Sequence, residues 1–186
     1  MLKIGIGHQL SVVTYLLGDF ASISATAAIH YPTPILLDKD RKPTGKTVTA
    51  TAPDQVAFTG LFKSGAVSSM HWRGGLKSTP GRKKFIWEID GEEGSIRLEG
   101  DSPFLNIGDP NVYLDGELVE VQKATGPADI LASAWTEYAK GEKGNYTSME
   151  DAVKLHRVLD AVIRSAKEGK TIQLSSFRVA AFLVYT

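Results

Sequence analysis

Hydrophobic spacing divides the chain into helical stretches at both ends and an alternating middle. Leu10, Val13, Leu16 and Leu17 recur at helical period and stop at Gly18, so residues 2–18 read as a short strand, a glycine turn and one amphipathic helix. From Phe20 the period becomes two. Ile23, Ala25, Ala27, Ile29 and Tyr31 share one face, while Ser22, Ser24, Thr26, Ala28 and His30 share the other. That pattern predicts a long strand with one buried face and one small polar face, which another surface could cover closely. Residues 32–46, with three prolines and the run DKDRK, read as a loop. Alternation resumes in 55–63 and 66–73 around Ser64-Gly65, and again in 84–90 and 95–99 around Gly91–Gly94. Asp115-Gly116 between two apolar runs predicts a tight hairpin.

After Gly126-Pro127 the helical period returns. Ile130, Leu131, Ala134, Trp135 and Tyr138 form one face of a helix ending near Gly141. Thr147-x-x-Glu150 predicts a capping box for a long closing helix. Its stripe is read as Ala152, His156, Leu159 and Ile163, widened by Leu155, Val162 and Ala166, with Gly169 as its stop. His156 is therefore expected in the core. A short strand, 171–174, follows. Strands followed by helices predict an α+β fold, with an open, mostly antiparallel β-sheet and helices packed on one face.

Composition narrows the chemistry. With 186 residues and 42% hydrophobic content, one ordinary globular domain is expected, over residues 1–175 with an atypical apolar tail at 176–186. Lys+Arg and Asp+Glu both number 21, which gives no electrostatic case for nucleic acid or an anionic membrane. The longest apolar run, Val179 to Tyr185, is far shorter than the roughly 20 residues of a spanning helix. The absence of cysteine excludes thiol catalysis and disulfides and suits a reducing compartment, so a cytoplasmic location is expected. The four histidines show no metal spacing.

Gly5-x-Gly7 after an apolar run resembles the start of a dinucleotide loop. The third glycine of that fingerprint is Leu10, and no acidic residue closes a second strand at about twenty residues on. Gly45-Lys46-Thr47 ends like a phosphate loop, but Asp40 stands where its first glycine belongs. Neither carries a nucleotide site.

The order and spacing of three segments resemble a known family. LKIGIGHQLSVVTYLLGDFASISA, HWRGGLKSTPGRKKFIWEIDGEEGSIRLEG and DAVKLHRVLDAVIRSAKEGKTIQL are similar to the C-terminal domain of the glucose–fructose oxidoreductase/inositol dehydrogenase/MocA family, and within it to the fungal galactose-repressor-like branch. The resemblance covers about residues 2–175. It implies that the family's N-terminal nucleotide-binding domain is absent, and that NAD or NADP belongs to the full-length proteins and not to this chain. It also makes His8, at the start of its helix, the candidate general acid or base at a substrate carbinol. Many members carry an acidic residue three positions after that histidine; here the position is Ser11. His71, Trp72 and Arg73, at a strand end before a glycine pair, are candidate substrate-binding residues.

Two functions are expected from this reading. One is the substrate-binding and oligomerisation domain of an NAD(P)-dependent oxidoreductase acting on a sugar, polyol or related hydroxy compound, inactive alone. The alternative is a non-catalytic regulatory or protein-interaction module. The expected partners are a second copy, met through the open sheet face, and a nucleotide-binding domain or a regulatory protein.

Overall fold

The computed structural model describes residues 2–75, 79–103, 110–121 and 126–174. In chain order its elements are α1 (Gly7–Leu17), β1 (Phe20–Ala28), β2 (Ile35–Leu37), β3 (Pro43–Thr47), β4 (Gln55–Phe62), β5 (Val67–Arg73), β6 (Phe85–Asp90), β7 (Ser95–Gly100), β8 (Asn111–Leu114), β9 (Glu117–Val119), α2 (Pro127–Ala139), α3 (Met149–Glu168) and β10 (Ile172–Gln173). They form an α+β fold with antiparallel sheets, as the alternation predicts. The chain divides into two compact units: residues 1–76 with 154–186, and residues 77–153. The apolar tail expected at 176–186 lies outside the described residues.

The first unit is built on a sheet of order β10-β1-β4-β5. The pairing of β1 with β4 shifts register between Phe20 and Ser22. This bulge places Phe20 and Ile23, three positions apart, on the same inward face, and both are buried. Val56, Phe58 and Phe62 of β4 join them, with Leu10 and Val13 of α1 and Val158, Leu159 and Val162 of α3. The helices thus supply the second layer of this core on one face of the sheet.

Three details of the helices differ from expectation. Residues 2–6 form no strand; they are a π-helical turn running straight into α1. A five-residue segment, LKIGI, is too short for periodicity to distinguish the two, and the helical path buries Gly5, Ile6 and Gly7 together. In α3 the buried positions are Val158, Leu159, Ala161, Val162 and Ser165. His156 and Ile163 are exposed, so the core stripe is rotated from the one expected and His156 is not a core histidine. The helix is capped one residue later than expected. Ser148 Oγ accepts from the N–H of Asp151 at 3.1 Å, and the N–H of Ser148 donates to Asp151 Oδ2 at 3.0 Å, a reciprocal box.

The stretch read as a loop contains a two-stranded ribbon. β2 and β3 pair with each other. The N–H of Val48 to Pro34 O and of Ala50 to Pro32 O extend the ribbon toward its base.

The second unit is a meander of order β6-β7-β8-β9 with α2. Asp115 and Gly116 have φ of 52° and 84°, the left-handed pair that the predicted tight hairpin requires. Phe85, Trp87 and Ile89 are half-buried and alternate with exposed Ile86, Glu88 and Asp90. Within its own unit, α2 leaves Leu131, Trp135 and Tyr138 exposed, so the apolar face read from its sequence is not core here.

Candidate functional site

His8 lies in the first turn of α1 and is exposed. The helical path begins a turn earlier, at Leu2, so the free amide groups of a helix N-terminus fall upstream of it. Its carbonyl accepts a hydrogen bond from Ser11 Oγ at 2.7 Å. The side chain that stands at the acidic position of many oxidoreductases is thereby turned onto the backbone, where it supplies no carboxylate to orient an imidazole. A β-carbon on Gly7 would meet Leu159 Cδ1 at 3.6 Å, so this glycine sits where α1 approaches α3. These residues do not fit a dinucleotide pyrophosphate, which needs a glycine turn with amide groups aimed at the ligand.

His71, Trp72 and Arg73 occupy the end of β5. Alternation separates them. His71 and Arg73 are exposed on the face away from the core, and Trp72 is half-buried on the opposite face. His71 stands opposite Ala57, and Arg73 opposite Gln55. The three expected binding residues therefore do not converge on one point.

What the topology does bring together is the open face of the first sheet. Ser22, Ser24, Thr26 and Ala28 of β1 register with Leu61, Thr59, Ala57 and Gln55 of β4. These in turn register with Val67, Ser69, His71 and Arg73 of β5. An open depression of about 660 Å³ lies here, lined by Ser24, Thr26, Thr59, Ser69, His71, Lys170 and Thr171 among others. Ser24 Oγ and Thr171 Oγ1 share a hydrogen bond of 2.7 Å. The Lys170 ammonium lies 2.8 Å from Glu168 Oε2; this contact, with Arg164, holds the Glu168 carboxyl below its usual range. The small hydroxyls on β1 were visible as a strand pattern, but that β4 and β5 continue them across one surface depends on strand order, which alternation does not contain.

A buried serine completes the edge of this sheet. Ser165 Oγ accepts from the N–H of Ala25 at 2.8 Å and donates to Lys170 O at 2.7 Å. Because β10 pairs only with Ser22 and Ile23, the Ala25 amide lies past its end, and the α3 hydroxyl takes it up.

The second unit carries a charge network on the polar face of its meander. Arg97 pairs with Glu88 at 2.8 Å and Glu99 at 3.1 Å. The hydrogen bond to Glu99, with the nearby Glu88, raises the guanidinium's pKa further. It is an exposed cross-strand pair of ordinary kind. Of the basic residues at 77–84, Lys83 lies 3.4 Å from Asp101, and Lys77 lies outside the described residues. Among the described residues no group of three or more His, Asp or Glu is arranged to hold a metal ion, and no helix is long and apolar enough to cross a membrane.

Comparison with known proteins adds kinship to this geometry. The Galactose/lactose metabolism regulatory protein GAL80 of Kluyveromyces lactis is 24% identical over 93% of this chain and 54% of its own length. Dehydrogenase aclE of Aspergillus oryzae is 27% identical over 92% of this chain and 47% of its own. Among solved structures, a super-repressor mutant of Gal80p from Saccharomyces cerevisiae superposes with a TM-score of 0.80 at 22% identity, over 93% of this chain and 49% of that one. Levoglucosan dehydrogenase in complex with NADH and L-sorbose superposes at 0.61 and 20% identity, over 94% and 49%. The chain spans about half the length of the curated relatives it matches. The profile of the Gal80p C-terminal domain matches residues 1–100, more than half of the 186, and the chain belongs to that family.

Proposed function

We propose that this chain is a non-catalytic interaction domain of the regulatory type, which pairs with a second copy through the open face of its first sheet and serves a regulatory protein partner. The observation that carries this reading is the dispersal of the candidate catalytic and substrate-binding residues. His8 has a hydroxyl turned onto its own carbonyl in place of an acidic neighbour. Trp72 lies on the opposite sheet face from His71 and Arg73. The open face supports the pairing, because the small side chains at its middle, Ser24, Thr26, Ala57, Thr59 and Ser69, allow close approach of a second sheet. The GAL80 relatives, whose names describe regulators of galactose and lactose metabolism, favour the same direction. The absence of cysteine suits work in the reducing cytoplasm.

A second reading retains an oxidoreductase role: the substrate wall of a sugar or polyol dehydrogenase, with NAD or NADP on a separate nucleotide-binding domain. The likeness to Dehydrogenase aclE and the hydroxyl-lined depression beside His71 support it. Because neither reading expects turnover from this chain alone, isothermal titration of the chain with a panel of aldoses and polyols separates the two. The regulatory reading expects no binding. Binding that disappears in His71→Ala, at the depression, would overturn it.

A further inference from the structure

The ribbon formed by β2 and β3 is ordered at both ends and packed along neither side. At its tip, Asp38 Oδ1 accepts from the N–H groups of Asp40 at 2.9 Å and Lys42 at 2.8 Å. At its base, the Asp54 carboxylate accepts from the N–H groups of His30 and Tyr31, both at 2.8 Å. The Tyr31 ring lies over Gly75, where a β-carbon would come within 2.7 Å of it. Between these anchors every residue from His30 to Thr49 is exposed, including Ile35 at 53% and Leu37 at 56%. A two-stranded ribbon alone is marginal in water. One that spends its anchors on holding an apolar pair in the solvent is built to lay that pair on another surface.

Continuity and area identify that surface. The ribbon leaves the sheet from Ala28 and returns at Gln55, which face each other in the ladder, so it prolongs the two strands at the centre of the open face. At ordinary strand spacing and rise, β10, β1, β4 and β5, of two, nine, eight and seven residues, present roughly 410 Å², about half of the ~800 Å² that each partner gives to a standard interface. The two arms of the ribbon, hydrogen-bonded over residues 32–38 and 42–50, add roughly 250 Å², which brings the total to about four-fifths of that size.

We propose that the ribbon is a clasp that lies against a second copy of this chain, seating Ile35 and Leu37 there, and that the pairing of open faces needs it. This rests on the reading that two copies meet through the open face, and the test separates the two ideas. Sedimentation equilibrium gives the dimer dissociation constant of the full chain, of Ile35→Ser/Leu37→Ser, and of Ala57→Arg, which places a charge in the middle of the open face. The expected result is a dimer that weakens at least about tenfold in the ribbon variant and is lost in Ala57→Arg. Ile35 and Leu37 are exposed in the single chain, so the far-ultraviolet dichroism and thermal midpoint of this variant stay those of the parent. Because the chain has no cysteine, Leu37→Cys supplies a single thiol, and its reaction with a maleimide slows as protein concentration passes through the dimer range. A parent dimer whose constant is unchanged in the ribbon variant, with a thiol rate independent of concentration, overturns the clasp and leaves the open-face reading standing. A dimer retained in Ala57→Arg but lost in the ribbon variant overturns the open-face reading alone. A parent chain that stays monomeric overturns both, and directs the ribbon to a different protein.

Discussion

The ring of Phe20 lies directly over the backbone of Gly60, where a β-carbon would sit 2.4 Å from Phe20 Cε1. Gly60 is on β4, one strand over from Phe20, and the ring also stacks on Phe62 with centroids 4.2 Å apart. The glycine here is a packing requirement of the bulged strand: shifting Phe20 inward leaves no room for a side chain beneath it. Gly60→Ala should force the ring away and destabilise the chain by about 1–3 kcal/mol. Urea denaturation followed by tryptophan fluorescence measures it; a loss near zero would mean that the ring swings aside freely.

Ser165 is 1% exposed and its hydroxyl serves both a strand amide and the carbonyl beyond the end of α3. Ser165→Ala should leave both groups without a partner at a cost of about 1–3 kcal/mol. Hydrogen exchange adds a local signature. The Ala25 amide should exchange faster in the variant than its neighbours do, a change that a uniform loss of stability does not produce.

Gly7 makes the opposite prediction. Its missing β-carbon would lie at ordinary contact distance from Leu159, and the residue is helical. Gly7→Ala should therefore be tolerated and should stabilise the chain by up to about 1 kcal/mol through helix propensity. A thermal midpoint that rises or holds agrees with a packing glycine. A clear fall would restore a role for the glycine beyond the approach of α1 to α3.

Asp54 ties the base of the ribbon to the pH scale. Partial burial alone would raise its pKa, but the hydrogen bonds from the His30 and Tyr31 amides, with help from Gln55, outweigh this and hold it below the ordinary carboxylate value. A carboxyl more acidic in the folded chain than in the unfolded one stabilises the fold above the unfolded value. That contribution is lost as pH falls through the folded one. Asp54→Asn should therefore flatten part of the acid limb of stability against pH, while near neutrality it loosens the ribbon base. Urea midpoints across the acid range for parent and variant are the check.

The strands were legible because each buries one face, and burial of one face writes itself into alternate residues. Even the bulge left a trace in the spacing of Phe20 and Ile23. The helices were legible as helices, but their orientation was not. In α3, His156 and Ile163 fit the expected stripe as well as Val158 and Ser165 fit the observed one, and only the packing against β1 and β4 chooses between them. The ribbon was hidden because its residues face water on every side. Prolines and charges at such positions carry no alternation. For the candidate site, single residues were legible and their grouping was not. His71, Trp72 and Arg73 are adjacent in sequence, yet a strand sends neighbours to opposite faces, and the open face collects residues from strands far apart along the chain.

Ala28 and Gln55 face each other across β1 and β4, so the whole excursion from Ile29 to Asp54 begins and ends on one rung of the ladder. A short hairpin turn could close the same rung. The excursion can then lengthen, shorten or change its apolar residues without altering any position of the core, since loop closure costs grow only slowly with length. The exposed arms of the excursion and the core are thereby placed on separate stretches of sequence, free to diverge at different rates.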